Sequence, residues 1–174
     1  AARFDFVKLE NINGHYIRQA TPARLYEVML ETATELNRVF DMDGLVANKD
    51  TVLAALPELQ PRAKTVLELI DLAQFIYAVR PLTIDASAAE QLTPDARANV
   101  GAFADILKGL NDWSVEAIDA AARAFAEARG LKLGKVAQPL RAALTGRTVS
   151  PGIFEVMVLI GREETLARLG DQAG

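Results

Sequence analysis

Helix start and stop signals recur along this sequence in the order that a helix requires, whereas the alternating patterns of strands are almost absent. Thr21-Pro22 and Thr93-Pro94 each place a hydroxyl at a helix N-cap and a proline in the first turn, where its missing N–H costs nothing. Gly130 follows an apolar stripe at helical spacing, and both Gly130 and Gly146 are suited to end a helix. The sequence therefore predicts an all-α protein.

Within the predicted helices, apolar residues recur at steps of three and four, which places them on one face. After the second Thr-Pro pair this spacing gives Val100, Phe103, Ala104, Leu107 and Leu110. Farther along, Ser114 can cap a helix while Trp113 and Ile118 occupy the positions of a hydrophobic staple. We therefore expect a helical bundle with Trp113 in its core, rather than as a platform on which a base stacks.

The length of 174 residues allows one compact domain or two small subdomains. Arg80-Pro81 disfavours helix continuation, because the proline ring crowds the preceding residue. We place a boundary there, which gives a first helical subdomain at 21–81 and a second at 82–174, preceded by a short segment at 1–20.

Composition narrows the possible sites and compartments. The chain has no Cys, which excludes disulfides and thiolate metal sites. It also has no apolar run of the roughly 18 residues that a membrane span needs, and its first residues do not resemble a signal peptide. His15 is the only histidine and has no neighbouring cluster of ligands, so we assign it to packing. We expect a cytoplasmic monomer without a metal site.

Positive charge is concentrated in one segment of an otherwise acidic chain. Residues 128–154, here called the basic segment, contain five basic residues and no acidic one; with these set aside, 14 basic residues face 23 acidic ones. The five are Arg129, Lys132, Lys135, Arg141 and Arg147. Such a segment favours a polyanion, because contacts of Lys and Arg with phosphates release condensed counterions. From charge alone, a solvated cationic face is the alternative.

Two further helix signals lie inside the basic segment. The run from Gly134 to Gly146 predicts a helix with Pro139 in its first turn. Ser150-Pro151 repeats the cap-and-proline pattern and predicts another helix start, whose backbone N–H groups could meet an acceptor-rich ligand. Spacing alone favours a structural interpretation, in which Arg141 is a surface arginine and Ser150 only a cap.

Longer motifs carry a resemblance to a known family. Residues 131–146 read LKLGKVAQPLRAALTG, residues 150–155 read SPGIFE and residues 159–163 read LIGRE. These motifs resemble the C-terminal end of bacterial glutamyl-tRNA synthetases. Near the N-terminus, FD at 4–5, KL at 8–9 and NGHYI at 13–17 resemble the segment after that family's second ATP-site signature. The resemblance thus spans nearly the whole chain.

The resemblance implies a class I aminoacyl-tRNA synthetase, with a Rossmann-type catalytic domain for ATP and glutamate followed by two all-helical anticodon-binding subdomains. It also implies that residues 1–20 end the stem-contact region. The chain contains no His-x-Gly-His and no Lys-x-Ser-Lys motif. We therefore expect ATP and Mg²⁺ to bind elsewhere in the full-length enzyme, and we expect this chain to hold no cofactor and to be inactive by itself.

The resemblance assigns the third anticodon base to Arg62. In the family, an arginine just after a proline near the end of the first anticodon-binding subdomain reads that base, and Pro61-Arg62 is similar. Arginine only donates hydrogen bonds. Cytosine presents two acceptors on its pairing edge, whereas guanine presents donors that would stay unpaired, at a cost of roughly 1–3 kcal/mol. Arg62 would therefore favour a glutamate over a glutamine anticodon; the alternative is an exposed arginine without a partner.

For the first two anticodon bases, the resemblance implies a set made of Arg141, Ser150, Pro151 and Ile153. Gln138 could add an amide contact, with a structural bond as the equal alternative. The remaining cations of the basic segment, Arg129, Lys132, Lys135 and Arg147, are expected at the tRNA backbone.

Three functions stay open from the sequence. The first is recognition of tRNA(Glu), and the second is a non-discriminating synthetase that charges both tRNA(Glu) and tRNA(Gln). The third is a helical protein-interaction module, since anticodon-binding domains are bundles with exposed faces. Dependence of binding on the third anticodon base would separate the first two, and binding that ignored tRNA would favour the third.

Overall fold

A computed structural model describes residues 14–35 and 42–173, and within these ranges the chain consists of helices and the loops between them. The α-helices are α1 (Pro22–Glu35), α2 (Met42–Ala47), α3 (Lys49–Leu59), α4 (Val66–Tyr77), α5 (Ala86–Ala89), α6 (Pro94–Lys108), α7 (Val115–Ala128), α8 (Leu133–Thr145), α9 (Ile153–Ile160) and α10 (Arg162–Gln172). A 3-10 turn spans Gln60–Arg62, and residues 14–19 are also helical. The predicted all-α class is confirmed.

The chain divides into two compact units, the first ending at Ala78 and the second beginning at Val79. This division lies three residues before the boundary that the sequence suggests. The motifs at 4–5 and 8–9 lie outside the described residues, as does the first residue of the motif at 13–17. None of the described helices is both long enough and apolar enough to cross a membrane.

In the first unit, α1, α3 and α4 pack against one another around Leu25, Met29 and Leu56, all fully buried. Thr21 caps α1 as predicted, since its hydroxyl accepts from the Arg24 N–H at 3.3 Å. His15 is exposed, so its assignment to packing is wrong. It precedes Ile17, which takes the buried position of that helical turn.

In the second unit, α8 is central and contacts α5, α6, α7, α9 and α10. Thr93 and Ser114 cap α6 and α7 as predicted, accepting from the backbone N–H three residues on at 3.3 and 3.2 Å. Trp113 is only partly buried: its Nε1 donates to the Met157 carbonyl at 3.1 Å, and the Arg162 guanidinium lies over its ring at 5.0 Å. Trp113 thus has a packing role, as expected, but it lies at the edge of the core and not inside it.

Two predictions about helix starts in the basic segment are wrong. Helix α8 begins at Leu133, so Pro139 lies in its second turn and the Lys135 carbonyl has no N–H four residues on. Helix α9 begins at Ile153 with Gly152 as N-cap, so Ser150 does not cap it. The Ser150 hydroxyl is instead occupied by tertiary contacts, described below.

Candidate nucleic-acid interface

Arg141, Ser150 and Pro151 come together where α8 ends and the chain turns back toward α9. The Arg141 Nη1 donates to the Ser150 Oγ at 3.1 Å and to the Pro151 carbonyl at 3.4 Å. The Ser150 hydroxyl donates in turn to the same carbonyl at 2.8 Å. Ser150 and Ile153 are only 6% and 3% exposed, whereas Arg141 is partly exposed. The cluster therefore holds a partly buried guanidinium, with Nε inside and the rest of the group next to the buried Ser150 and Pro151.

The turn that follows Arg141 is fixed by Thr145 and Gly146. The Thr145 hydroxyl donates to the Arg141 carbonyl at 2.8 Å and accepts from the Arg147 N–H at 3.2 Å. Gly146 ends α8 with φ of 71°, as predicted, and its carbonyl accepts from the Asp85 N–H at 2.9 Å. A Cβ at Gly146 would overlap the Thr83 carbonyl oxygen. Only glycine fits this conformation and this close approach.

A buried arginine that the sequence did not single out also holds the end of α8. Arg168 is 2% exposed, donates through Nη1 to the Leu144 carbonyl at 2.8 Å, and pairs with Glu164 at 2.6 Å. Arg80 approaches the other oxygen of the same carboxylate at 3.5 Å. The four-residue spacing of Glu164 and Arg168 is that of a helix ion pair and can be seen in the sequence. The burial of Arg168 cannot.

The other cations of the basic segment differ in how they are engaged. Arg129 lies over the Phe125 ring at 4.6 Å and donates to the Asn99 side chain at 2.7 Å. Arg147 is partly buried next to Thr145. The ammonium groups of Lys132 and Lys135 are exposed and make no hydrogen bond or ion pair with the described residues. The two lysines are thus the cations of this segment most accessible to a ligand.

Arg62 belongs to the first unit, whereas Arg141 belongs to the second. It ends the 3-10 turn, is exposed, and donates from Nε to the Glu58 carbonyl at 3.2 Å. Just after it, the Thr65 hydroxyl caps α4 by accepting from the Glu68 N–H, and the Glu68 carboxylate accepts from the Lys64 N–H. Arg62 is therefore an exposed donor on a rigid turn.

Neither unit offers an evident metal site among its described residues. No group of three or more histidine, aspartate and glutamate side chains lies close enough to hold an ion there. The candidate residues of each unit offer hydrogen-bond donors and positive charge instead.

A family model described as an anticodon binding domain matches residues 18–173. The chain belongs to this family. Members that bind an anticodon bind tRNA, and the donors and cations of the basic segment are the chemistry that single-stranded RNA requires.

Relatives of this anticodon binding domain are similar over its whole length. It is 53% identical to a glutamate–tRNA ligase of Bradyrhizobium sp. strain BTAi1 over 99% of the chain, and 49% identical to glutamate–tRNA ligase 1 of Brucella melitensis over all of it. In both comparisons the chain spans 37% of the relative's length. Its structure is similar to that of a glutamate tRNA ligase from Elizabethkingia meningosepticum, with a TM-score of 0.77 and 25% identity over 99% of this chain and 33% of that one.

Proposed function

We propose that this chain is the anticodon-binding part of a cytoplasmic glutamate–tRNA ligase and that it binds tRNA(Glu). Attachment of glutamate, with ATP and Mg²⁺, is proposed for the full-length ligase. The chain spans about a third of the length of its relatives. The observation that carries the proposal is the Arg141 cluster. It is a guanidinium fixed by two acceptors within the basic segment of an anticodon binding domain.

Arg141 is the proposed reader of the first two anticodon bases. Single-stranded loops are recognised by splaying bases out and bonding their edges to donors and acceptors on a rigid support. The Ser150 Oγ and the Pro151 carbonyl orient the planar guanidinium, and such pre-organisation lowers the entropy lost on binding. Ser150 and Ile153 are buried, so we propose that they act mainly by supporting Arg141 and the turn.

Arg62 is the proposed reader of the third anticodon base. Its Nε is held by the Glu58 carbonyl, while its Nη atoms make no hydrogen bond or ion pair with the described residues. Those donors match the acceptors on the pairing edge of cytosine and leave the donors of guanine unpaired. This chemistry favours a glutamate anticodon over a glutamine anticodon.

The proposal is tested by measuring the binding of a tRNA(Glu) transcript to Arg141→Ala, with Lys108→Ala as control. Lys108 is an exposed cation of the same unit and pairs with Asp105 at 2.8 Å. Each variant therefore removes one positive charge from the second unit. We expect at least about a tenfold loss for Arg141→Ala, the scale of an unsatisfied hydrogen bond, and little change for the control. Equal affinities for the two variants, with unchanged helical content, would show that Arg141 does not read the RNA.

A second transcript, with guanine as the third anticodon base, separates the discriminating enzyme from the non-discriminating one. We expect it to bind at least about tenfold more weakly than the cytosine form, because guanine donors would face Arg62. Equal binding of the two transcripts would point to a domain that accepts both tRNA(Glu) and tRNA(Gln).

A further inference from the structure

The second unit contains an open pocket beside the first two turns of α8. Its volume is about 450 Å³, within the range of small-molecule sites. One wall is formed by α8 with Lys132, Lys135 and Gln138, and the other by the turn after α5 and the start of α6 with Glu90, Gln91 and Thr93. The pocket therefore combines two cations of the basic segment with residues that lie outside it.

The charged groups of this pocket are opposite in sign but do not pair with each other. Lys132 and Lys135 carry positive charge on the α8 wall, and Glu90 carries negative charge on the other. All three side chains are exposed, and none makes an ion pair or hydrogen bond with the described residues. Open space separates the opposite charges, so a ligand that carries both kinds of complementary group could bridge them.

A nucleotide has the required chemistry. Its phosphate is attracted to Lys132 and Lys135, whereas the amino and ring N–H groups of its base can donate to the Glu90 carboxylate. The amides of Gln91 and Gln138 each offer donors and an acceptor to the base edge or sugar. Two lysines against one glutamate leave the pocket with net positive charge, which favours the phosphate, while Glu90 adds an acceptor for a group that donates hydrogen bonds.

We propose that this pocket receives one nucleotide of the bound tRNA, with its phosphate at Lys132 and Lys135 and an amino-bearing base edge at Glu90. The proposal rests on the proposed function, since it needs the chain to bind tRNA. It goes beyond that function because it assigns selection of the base to Glu90, a residue outside the basic segment.

Glu90→Gln tests the proposal by the sign of its effect. If the pocket were only part of a diffuse cationic surface, removal of a negative charge would strengthen tRNA binding. If Glu90 accepts from an inserted base, the same change weakens binding, because an amide replaces a charged acceptor. We expect a loss of about threefold to tenfold with an unchanged salt dependence, and a gain in affinity would overturn the proposal.

The phosphate end is tested with Lys132→Ala/Lys135→Ala, and again Lys108→Ala is the control, at the opposite end of α6 from the pocket. Release of counterions from one single-stranded phosphate contributes about 0.7 to the slope of log K against log salt. We expect the double variant to lower that slope by about 0.7 and the control to leave it unchanged. An unchanged slope in the double variant would overturn the proposal.

These outcomes separate the two proposals. If the protein binds tRNA and Arg141→Ala weakens that binding, but the Lys132/Lys135 double variant and Glu90→Gln have no effect, the nucleotide pocket alone is refuted. Wild-type protein that does not bind tRNA at low salt would refute the proposed function, and the nucleotide pocket with it. Circular dichroism of each variant confirms that the fold is intact.

Discussion

The two arginines proposed to read the anticodon differ in how firmly the fold holds them. Arg141 has tertiary acceptors nine and ten residues away, on a turn that is itself fixed by Gly146 and by the buried Arg168. Arg62 is exposed and, among the described residues, its side chain bonds only the carbonyl of Glu58, four residues earlier. We therefore predict that a change around Arg141 disturbs both the turn and the binding of RNA, whereas a change at Arg62 alters binding alone.

The largest effect is expected for Gly146→Ala, which attacks the turn after Arg141. A residue with a Cβ in the left-handed region costs about 1–2 kcal/mol, and overlap with the Thr83 carbonyl adds to this. We expect the free energy of unfolding to fall by at least about 2 kcal/mol in urea denaturation. Gly134→Ala is the matched control: it lies in α8, has open space around it, and should stabilise by about 0.5–1 kcal/mol. Equal stabilities of the two variants would contradict the described turn.

The next effect is expected for Arg62→Gln, and it should appear only in RNA selectivity. We expect the preference for cytosine over guanine at the third anticodon base to shrink about tenfold, because glutamine both donates and accepts. The free energy of unfolding should stay within about 0.5 kcal/mol of wild type, as for other exposed positions. Competition between the two tRNA transcripts, together with urea denaturation, measures both quantities. A loss of stability with selectivity retained would reverse the contrast drawn with Arg141.

A smaller effect is expected for Ser150→Ala, which removes one of the acceptors that orient Arg141. A typical hydrogen bond contributes about 1 kcal/mol, so tRNA affinity should fall about fivefold. Ser150→Thr keeps the hydroxyl and should recover most of this loss. If Ser150→Ala bound tRNA like wild type, orientation of Arg141 by the hydroxyl would have no part in recognition. If the Thr variant failed as fully as the Ala variant, crowding in the buried turn would be the cause instead.

The parts of the fold that the sequence predicted are those governed by local geometry. Thr93 and Ser114 cap their helices because the hydroxyl and the N–H that it accepts lie within one turn. Gly130 and Gly146 end theirs because both have positive φ, which glycine adopts freely. Such signals depend on a few neighbouring residues and can be recognised without knowledge of the packing.

What the sequence did not reveal depends on contacts beyond a single helical turn. Ser150 has the local pattern of a cap, but its hydroxyl is used by Arg141 and the Pro151 carbonyl. The burial of Arg168 depends on the approach of α10 to α8, which helix periodicity does not reveal. Likewise, no spacing brings Glu90 to the same pocket as Lys132. The all-α class followed from the recurring helix signals and the family from long motifs, whereas the base-reading roles of Arg62 and Arg141 remain predictions.

The most direct measurement of the central claim is the affinity of the unmodified chain for a tRNA(Glu) transcript, compared with a transcript in which all three anticodon bases are replaced and the rest is unchanged. Both RNAs carry the same charge and stem, so nonspecific phosphate contacts contribute equally to their binding. If Arg62 and Arg141 read the anticodon, the replaced transcript binds at least about a hundredfold more weakly, since each lost set of base contacts costs about 1–3 kcal/mol. Equal affinities would show that the chain binds tRNA without reading the anticodon, and would contradict the account.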